Sequence, residues 1–214
     1  METKTEIVYF QIKEKMKKGE YSPGMHLNEP MLMEELSCSR ACIREVLSML
    51  RRDGLVESFP RRGSFVTRVF FDQSIKLLYL QEAANLMAAR ILAENLTPEI
   101  LCQLESIMQK VLEYIEQEDY LAYFNQSTEF HRYLCSATGN EYLLRCFDFA
   151  EDLSAISYVK APLLLHNKRA YEEHMQILDA IRRKNPEDAE KAVRAHFDNS
   201  RESLSLYYQS QKAH

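Results

Sequence analysis

The stretch from Cys38 to Val69 changes its hydrophobic period in the middle, and this change constrains the fold more than any other feature. Its sequence is CSRACIREVLSMLRRDGLVESFPRRGSFVTRV. Between Ser39 and Arg52 the apolar residues recur at helical spacing, with Ser39 as the predicted N-cap. After Gly54 come two short β-prone runs, LVESF and SFVTR, joined by the turn-forming sequence PRRG. The pattern predicts an α-helix followed by a β-hairpin.

Basic residues dominate the same stretch, which carries seven arginines against three acidic residues. At about 100° per residue, Arg40, Arg44 and Arg51 share one ridge of the predicted helix, beside its apolar stripe. Arg61 and Arg62 fall at the predicted tip of the hairpin. A helix ridge and a loop tip that both carry positive charge indicate a polyanionic partner.

Charge is unevenly distributed along the chain. Residues 1–70 contain 12 Lys and Arg against 10 Asp and Glu, a net charge of +2, whereas the remaining residues contain 15 against 22, a net charge of −7. A basic patch on a chain whose total charge is −5 fits a local contact with nucleic acid, with the acidic part facing away. The alternative at this point is an arginine-rich helix that is merely solvated.

Two further helices are predicted before the arginine-rich one. In TEIVYFQIKEKMKKGEY, Val8, Ile12 and Met16 share one helical face. The sequence NEPMLMEEL forms a short helix with Asn28 as its predicted cap. Three helices followed by a hairpin make a winged helix-turn-helix, in which the third helix enters the major groove of DNA and the hairpin contacts the flanking groove or backbone.

The motifs of this region resemble the N-terminal domain of GntR-family bacterial transcription regulators. Four of them, G-x-x-x-P-G-x-x-L, S-R-x-x-x-R-E-x-L, D-G-L-V and P-x-R-G-x-F-V, follow one another in the family's order over residues 19–66. One departure is Ala41 and Cys42, where the family often has Thr-Pro, and it concerns the operator sequence that the protein would recognise.

The resemblance also implies particular DNA contacts. Ser39, Arg40 and Arg44 match contacts that the family makes from its recognition helix, and Arg62 and Gly63 match contacts from the wing. Combined with the arginines placed on the ridge and at the hairpin tip, the predicted DNA-binding residues are Ser39, Arg40, Arg44, Arg51, Arg61, Arg62 and Gly63.

Beyond residue 71 the pattern is helical throughout. Leu104 to Ile115 carry an apolar stripe at i, i+3, i+4, i+7, i+8 and i+11, and breaks at NLTP, QED, ATGN, KAP and KNP delimit about six segments. Asn185 and Pro186 are the predicted cap and first residue of the last helix. The predicted fold is mainly α, with a winged helix-turn-helix DNA-binding domain in residues 1–70 and an all-α helical bundle of about six helices, for effector binding and dimerisation, in residues 71–214.

Three histidines lie on apolar helical faces of this predicted bundle: His131, His174 and His196. Facing helices of a bundle can hold a metal ion in the core, and neutral imidazole suits zinc or nickel. The other interpretation is that each histidine is a hydrogen-bonded core residue. Glu172 and Glu173 beside His174 are interpreted as part of a solvated face, since adjacent helical residues point about 100° apart.

The segments STEFHRYLCSATGN and YEEHMQILDAIRRKNPEDAEKAVRAHF, with the number of helices, resemble the FCD ligand-binding domain of the FadR branch of the family. In many members one Asp and three His hold a metal ion there. The resemblance assigns the three histidines to that role and places Ser127 at the Asp position, while Gln81 and Asn85 stand where members often carry Arg and Glu. It thus implies an effector site formed by Gln81, Asn85, Ser127, His131, His174 and His196, with zinc or nickel on the three histidines.

The combined expectation is a cytoplasmic, homodimeric transcription regulator that is not an enzyme. It would act as a repressor at a pseudo-palindromic operator in double-stranded DNA, under the control of a small-molecule effector that is a carboxylate. No apolar run approaches the roughly 18 residues of a membrane span, and five cysteines without a CxxC pair argue against a disulfide framework or structural zinc. Two alternatives stay open: a metalloenzyme with a three-histidine site, and a constitutive architectural DNA-binding protein.

Overall fold

The computed structural model describes residues 3–156 and 167–212. Within them the protein contains nine helices and a three-stranded sheet. Contacts divide the chain into two compact units. Unit 1 holds the described residues up to Phe70 together with those from Asp152 to Ile156, and unit 2 holds the other described residues. No helix of the described part is long and apolar enough to cross a membrane.

Unit 1 contains three helices before its sheet: α1 (Lys4–Lys17), α2 (Glu29–Glu35) and α3 (Arg40–Arg52). The Asn28 side chain accepts a hydrogen bond from the backbone N–H of Met31, and the Ser39 side chain accepts one from Cys42, which confirms both predicted caps. The predicted apolar stripes of α1 and α3 are buried and form the core of the unit, with Val8, Ile12, Met16, Ile43, Val46, Leu47 and Leu50.

A small antiparallel sheet completes unit 1. It consists of β1 (His26–Leu27), β2 (Val56–Phe59) and β3 (Gly63–Val66), in the spatial order β1-β3-β2. The predicted hairpin is the pair β2 and β3, in which Phe59 faces Gly63 across the turn. Strand β1 was not predicted, because two residues are too few to show a period of alternation. Three helices with this sheet are a winged helix-turn-helix, as predicted.

Unit 2 consists of six helices within the described residues. They are α4 (Phe71–Asn95), α5 (Pro98–Glu116), α6 (Tyr120–Ala137), α7 (Glu141–Ala155, of which the last turn is assigned to unit 1), α8 (Asn167–Arg182) and α9 (Pro186–Lys212). The predicted breaks at NLTP, QED, ATGN and KNP fall between successive helices, and Asn185 caps α9 by accepting from the N–H of Asp188. The break predicted at KAP, residues 160–162, lies outside the described residues.

The core of unit 2 lies where four helices meet around α8. Helix α8 contacts α4, α5, α6 and α9, and α4 also packs along α9. Phe130 of α6 and Phe147 of α7 are fully buried in this core, and each such side chain contributes about 1.5–3 kcal/mol relative to an exposed one. Because three of these helices carry the histidines of the sequence analysis, their packing decides where the imidazole rings lie.

Candidate functional site

The predicted recognition helix α3 presents its arginines to solvent. The Arg40 and Arg44 side chains are 61% and 66% exposed, and both approach the carboxylate of Glu29 at the start of α2. Arg44 Nε donates to Glu29 Oε1 at 3.1 Å, and Arg40 Nε lies 3.6 Å from Glu29 Oε2. Arg51 is exposed on the same ridge, about two turns beyond Arg44. The ridge inferred from the sequence therefore exists, with an acidic partner that sequence reasoning missed.

The N-cap of α3 combines a structural and a potential recognition role. The Ser39 oxygen is occupied by the N–H of Cys42 at 3.3 Å, while its O–H can still donate. Ser39 is exposed beside Arg40, at the positive end of the helix dipole. Its hydroxyl and the free backbone N–H groups of the first turn suit a phosphate oxygen.

The turn between β2 and β3 carries the predicted wing residues. Arg61 has a positive φ of 62°, and the guanidinium of Arg62 lies 5.5 Å from the ring centroid of Phe59. Gly63 has a φ of 94°, and a Cβ added there would lie 2.5 Å from His26 Nε2, so this position requires glycine. His26 belongs to β1 and stacks on Phe65 at 4.8 Å. Sequence reasoning missed His26 because it missed the strand that brings its ring to the wing.

Three imidazole rings meet in the core of unit 2. His131 comes from α6, His174 from α8 and His196 from α9, and their side chains are almost fully buried. The Nε2 atoms of His131 and His174 are 2.9 Å apart, and those of His174 and His196 are 3.3 Å apart. The structure thus brings together the histidines that the sequence places on separate apolar faces.

The far side of two rings is held by hydrogen bonds that fix the tautomer. Asn85 of α4 donates from Nδ2 to the backbone oxygen of Gln81, so its Oδ1 faces His131 Nδ1 at 3.1 Å and accepts a hydrogen bond from the Nδ1–H group. Glu173 Oε2 accepts from His196 Nδ1 at 2.9 Å. With their protons on Nδ1, His131 and His196 both direct an Nε2 lone pair into the cluster.

The interpretation of Glu173 as part of a solvated face was wrong. Its side chain is 11% exposed and accepts hydrogen bonds from His196, from Asn199 Nδ2 at 2.7 Å and from Arg169 Nε at 3.0 Å. Glu172 is exposed, as interpreted. Adjacent residues do point in different directions, but α9 covers the side of α8 on which Glu173 lies, and a sequence does not show from how many sides a helix is covered.

Three Nε2 atoms at these separations cannot all present bare lone pairs to one another. A proton or a cation must lie among them, because lone pairs that face each other repel. His174 is the one ring without a fixed tautomer, and its Nδ1 is a buried polar atom without a hydrogen-bond partner in the described residues. In the metal-free protein, a proton on His174 Nε2 removes this repulsion, because the N–H group donates a hydrogen bond to His131 Nε2.

The donor set fits a divalent transition metal. Nitrogen ligands at about 2.0–2.1 Å from a tetrahedral zinc are separated by about 3.3–3.4 Å, and octahedral angles bring this separation to about 2.9 Å. Two of the three separations between ligand atoms, 2.9 and 3.3 Å, lie close to these values, and all three ligand atoms lie within 4.8 Å of one another. Burial, followed by the charge of His196, lowers the pKa of His131 and His174 well below 6.5, so both are in the form that binds metal at neutral pH.

The other predicted effector residues differ in where their side chains lie. Asn85 contacts the cluster directly through His131. Gln81 is buried but donates to Glu151 of α7 at 2.9 Å. Ser127, half buried one turn before His131, is hydrogen-bonded to Tyr123, whose pKa burial raises to about 12. Ser127 carries no negative charge, so the position that the resemblance gave to Asp adds no carboxylate to the three histidines.

A winged helix-turn-helix together with a separate helical domain is the architecture of a class of DNA-binding regulators, and sequence comparison agrees. The profile of the gntR family of bacterial regulatory proteins matches residues 4–66, and that of the FCD domain matches residues 80–199. The chain therefore belongs to the GntR family of transcription regulators, in the group that carries an FCD domain. Regulators of this family bind DNA through the winged domain.

Individual relatives extend over nearly the whole chain. It is 26% identical over 202 residues to the uncharacterized HTH-type transcriptional regulator YdhC of Bacillus subtilis, an alignment that covers 92% of this chain and 88% of that protein. It is 26% identical over 232 residues to the HTH-type transcriptional repressor NanR of Enterobacter sp. (strain 638), with 97% and 88% covered. The solved structure of E. coli McbR/YncC superposes with a TM-score of 0.78 at 21% identity, covering 97% and 100%, and this likeness establishes the fold alone.

Proposed function

We propose that this protein is a homodimeric transcriptional repressor whose affinity for its operator is set by a small carboxylate bound at the three-histidine site. The observation that carries the proposal is the orientation of the rings: two histidines are locked with Nε2 lone pairs turned toward the third. Core histidines that served packing alone would not need a converging set of lone pairs. The winged domain supplies the DNA contact, and the helical domain supplies control.

The exposed arginines support the DNA half of the proposal. Arg40 and Arg44 stand on the ridge of α3 that would face base edges, whereas Arg61 and Arg62 stand on the wing that would face phosphates. One winged helix contacts few base pairs, so two copies on a pseudo-palindrome would be needed to select a site among genomic competitors. We assign the protein to the cytoplasm, where that DNA lies.

Charge balance supports the carboxylate half of the proposal. A zinc or nickel ion on three neutral imidazoles would supply a positive charge with open coordination positions, which suit an oxygen anion. His131, His174 and His196 would hold it through Nε2, with Asn85 and Glu173 orienting two of the rings. Since Ser127 contributes no charge, the effector's own carboxylate would take the place of the missing acid.

Regulation is favoured over catalysis by the family and by the role of Glu173. The relatives are transcription regulators, and NanR is named a repressor. A hydrolytic metal site needs a general base with a free lone pair directed at the attacking water. Glu173 instead has both oxygens engaged by His196, Asn199 and Arg169. It is committed to holding the site together.

The test is to change His174 to Ala and to measure metal content and operator binding. We expect the parent protein to bind zinc or nickel and to change its operator affinity with members of a panel of small carboxylates, and the variant to lose both properties while it stays folded. His26→Ala, at an exposed histidine of the winged domain, is the matched control and should retain the metal. A folded His174→Ala protein with the parent's metal content and response would refute the proposal.

Placing an acid at position 127 distinguishes a site that holds a metal from one in which the histidines bind the anion directly. Ser127→Asp places a carboxylate one turn before His131, where it should strengthen metal binding and weaken the response to carboxylates by like-charge repulsion. If the histidines bound an anion directly, without a metal, the same change would weaken the response and leave metal content unchanged. The two versions of the site are therefore distinguished by metal content.

A further inference from the structure

Behind the three-histidine cluster lies a buried carboxylate that the sequence comparison does not assign to any role. We infer that Glu173 is a positioning residue that supplies, through His196, the negative charge that Ser127 cannot give to a bound divalent ion. The inference rests on the metal site of the proposed function. It explains how the charge of a divalent ion would be compensated in a cluster that has no carboxylate among its direct ligands.

The contacts of Glu173 hold its carboxylate in one orientation. Asn199 and Arg169 both donate to Oε1, at 2.7 and 3.0 Å, which leaves Oε2 for the Nδ1 proton of His196 at 2.9 Å. Arg169 lies one turn before Glu173 on α8, and Asn199 lies three residues after His196 on α9. Neighbours on both helices therefore aim one oxygen at the ring.

The three rings differ in the hydrogen-bond partner of the nitrogen that points away from the cluster. His131 has the neutral amide of Asn85, His196 has the carboxylate of Glu173, and His174 Nδ1 has no partner within the described residues. A carboxylate that accepts from the distal nitrogen makes the metal-facing nitrogen a stronger donor, which an amide does less well. Among these partners Glu173 alone carries charge, so the ligand it supports should be the one that compensates the cation most.

A purely structural role for Glu173 predicts something different. The same contacts join α8 to α9, so removing them would lower the stability of the helical domain whether or not a metal is present. A positioning role predicts a loss of metal affinity in a protein that still folds. It also predicts that the tautomer of His196 changes when Glu173 is replaced. Metal affinity should then recover when a negative charge is placed elsewhere in the site.

The experiment compares Glu173→Gln with Glu172→Gln in the full chain. Both remove one negative charge from adjacent positions of α8, but Glu172 is exposed and makes the second variant a matched control. Zinc and nickel affinities are measured by competition with a chromophoric chelator. We expect Glu173→Gln to weaken binding by about 10–100-fold, and Glu172→Gln to change it by less than about twofold. Circular dichroism of the metal-free variants checks that both are folded.

Two further measurements separate charge from geometry. Nitrogen-15 spectra of the metal-free protein should place the His196 proton on Nδ1 in the parent and in Glu172→Gln, and should show an altered tautomer balance in Glu173→Gln. Adding Ser127→Asp to the Glu173→Gln protein should recover at least about tenfold of the lost affinity, and more than the same change adds to the parent, since only the variant lacks a charge that the new carboxylate replaces. Absence of recovery would overturn the assignment of the role to charge.

The outcomes also distinguish this inference from the proposed function. A parent protein that binds neither ion would overturn the metal site, and the role of Glu173 with it. A parent that binds zinc or nickel while Glu173→Gln binds equally well would overturn only the role of Glu173. If Glu173→Gln did not fold, a folded Glu173→Asp protein would take its place, because its carboxylate is one methylene too short to accept from His196 Nδ1: weakened metal binding would support the positioning role, and the parent's affinity would overturn it.

Discussion

Arg44 donates from Nε to both oxygens of the Glu29 carboxylate, at 3.1 and 3.3 Å. Glu29 begins α2, and Arg44 lies one turn into α3, so the acid of one helix holds a guanidinium of the next before any DNA is bound. The pair is largely exposed, and such pairs contribute at most about 1 kcal/mol to stability. The main effect of the ion pair is therefore on the orientation of the Arg44 side chain and not on stability.

We expect Glu29→Gln to reduce discrimination between operator and unrelated DNA. Removing an acid next to the phosphates strengthens binding to every sequence. An arginine that is no longer held must lose more rotamer freedom when it contacts a base. The ratio of the two affinities should fall about fivefold, which corresponds to roughly 1 kcal/mol. Fluorescence anisotropy with a selected operator and a scrambled duplex at one salt concentration measures the ratio.

Glu34→Gln is the matched control for this change. Glu34 is an exposed carboxylate near the other end of the same helix, so its removal alters the net charge equally. It should shift both affinities by the same small factor and leave their ratio intact. If Glu29→Gln also left the ratio intact, the contact between Glu29 and the α3 arginines would have no part in recognition.

Removing an arginine from α3 and removing one from the wing should affect DNA binding in different ways. Arg40→Ala and Arg44→Ala should each remove about 1–3 kcal/mol of discrimination at one defined base pair, which we expect to be a guanine. Arg61→Ala and Arg62→Ala should weaken binding to all sequences alike and lower the salt dependence, as expected for phosphate contacts. Gel shifts over a salt series with single-base operator variants measure both effects. Unchanged affinity in both α3 variants would contradict the recognition-helix assignment.

Most of the fold follows from local signals in the sequence. The apolar stripe of α3, its Ser39 cap and the PRRG turn each depend on residues a few positions apart, and the structure has all three features. The same holds for Asn185 and the start of α9. Strand β1 escaped prediction because its two residues form a strand only through pairing with β3, about 40 residues away in the sequence.

The candidate site was predictable only in part, for a related reason. Helical periodicity places His131, His174 and His196 on inward faces, but it does not indicate which helices are neighbours or at what depth side chains meet. Asn85 and Glu173 therefore could not be assigned to His131 and His196 from spacing. Glu173 was interpreted as solvated because one helix was considered without the second helix that covers it.

Dimerisation should depend on the outer face of α4. Its inner face is buried, whereas Leu80, Ala83 and Met87 form a partly or fully exposed apolar strip at i, i+3 and i+7, with Met87 49% exposed. An exposed apolar strip indicates a protein contact, and in a twofold interface each substitution occurs twice. We expect Met87→Glu to raise the dimer dissociation constant by about 100-fold or more.

Sedimentation velocity of the full chain over a concentration series measures this effect. Gln103→Glu adds the same acid at an exposed position of α5 and should leave the association unchanged. A Met87→Glu protein as strongly dimeric as the parent would place the interface elsewhere. A parent that is monomeric at micromolar concentration would contradict the dimer itself.

The metal-free protein should become less stable as the pH falls below about 6.5. His131 and His174 are neutral in the folded state because burial lowers their pKa well below that value, whereas the unfolded chain binds protons there normally. The unfolded state then holds more protons, so the free energy of unfolding falls with falling pH, by up to about 1.4 kcal/mol per pH unit for each histidine. The hydrogen bond from His196 helps to hold the pKa of Glu173 below 4.5 despite its burial, so this carboxylate remains charged over the same range.

Urea unfolding in the presence of a chelator, between about pH 5 and pH 8, measures the slope. His174→Gln removes one of the two titrating rings and should reduce the slope by about half, whatever its effect on stability at pH 8. His26→Gln, which removes an exposed histidine of the winged domain, should leave the slope unchanged. The free energy of unfolding would contradict this prediction if it stayed constant from pH 8 to pH 5. The buried rings would then accept protons in the folded state as readily as in the unfolded chain, so the cluster would have to open to water. In that event a metal ion would have to compete with protons from pH 6.5 downward, and metal affinity should fall over the same interval in which stability stays flat.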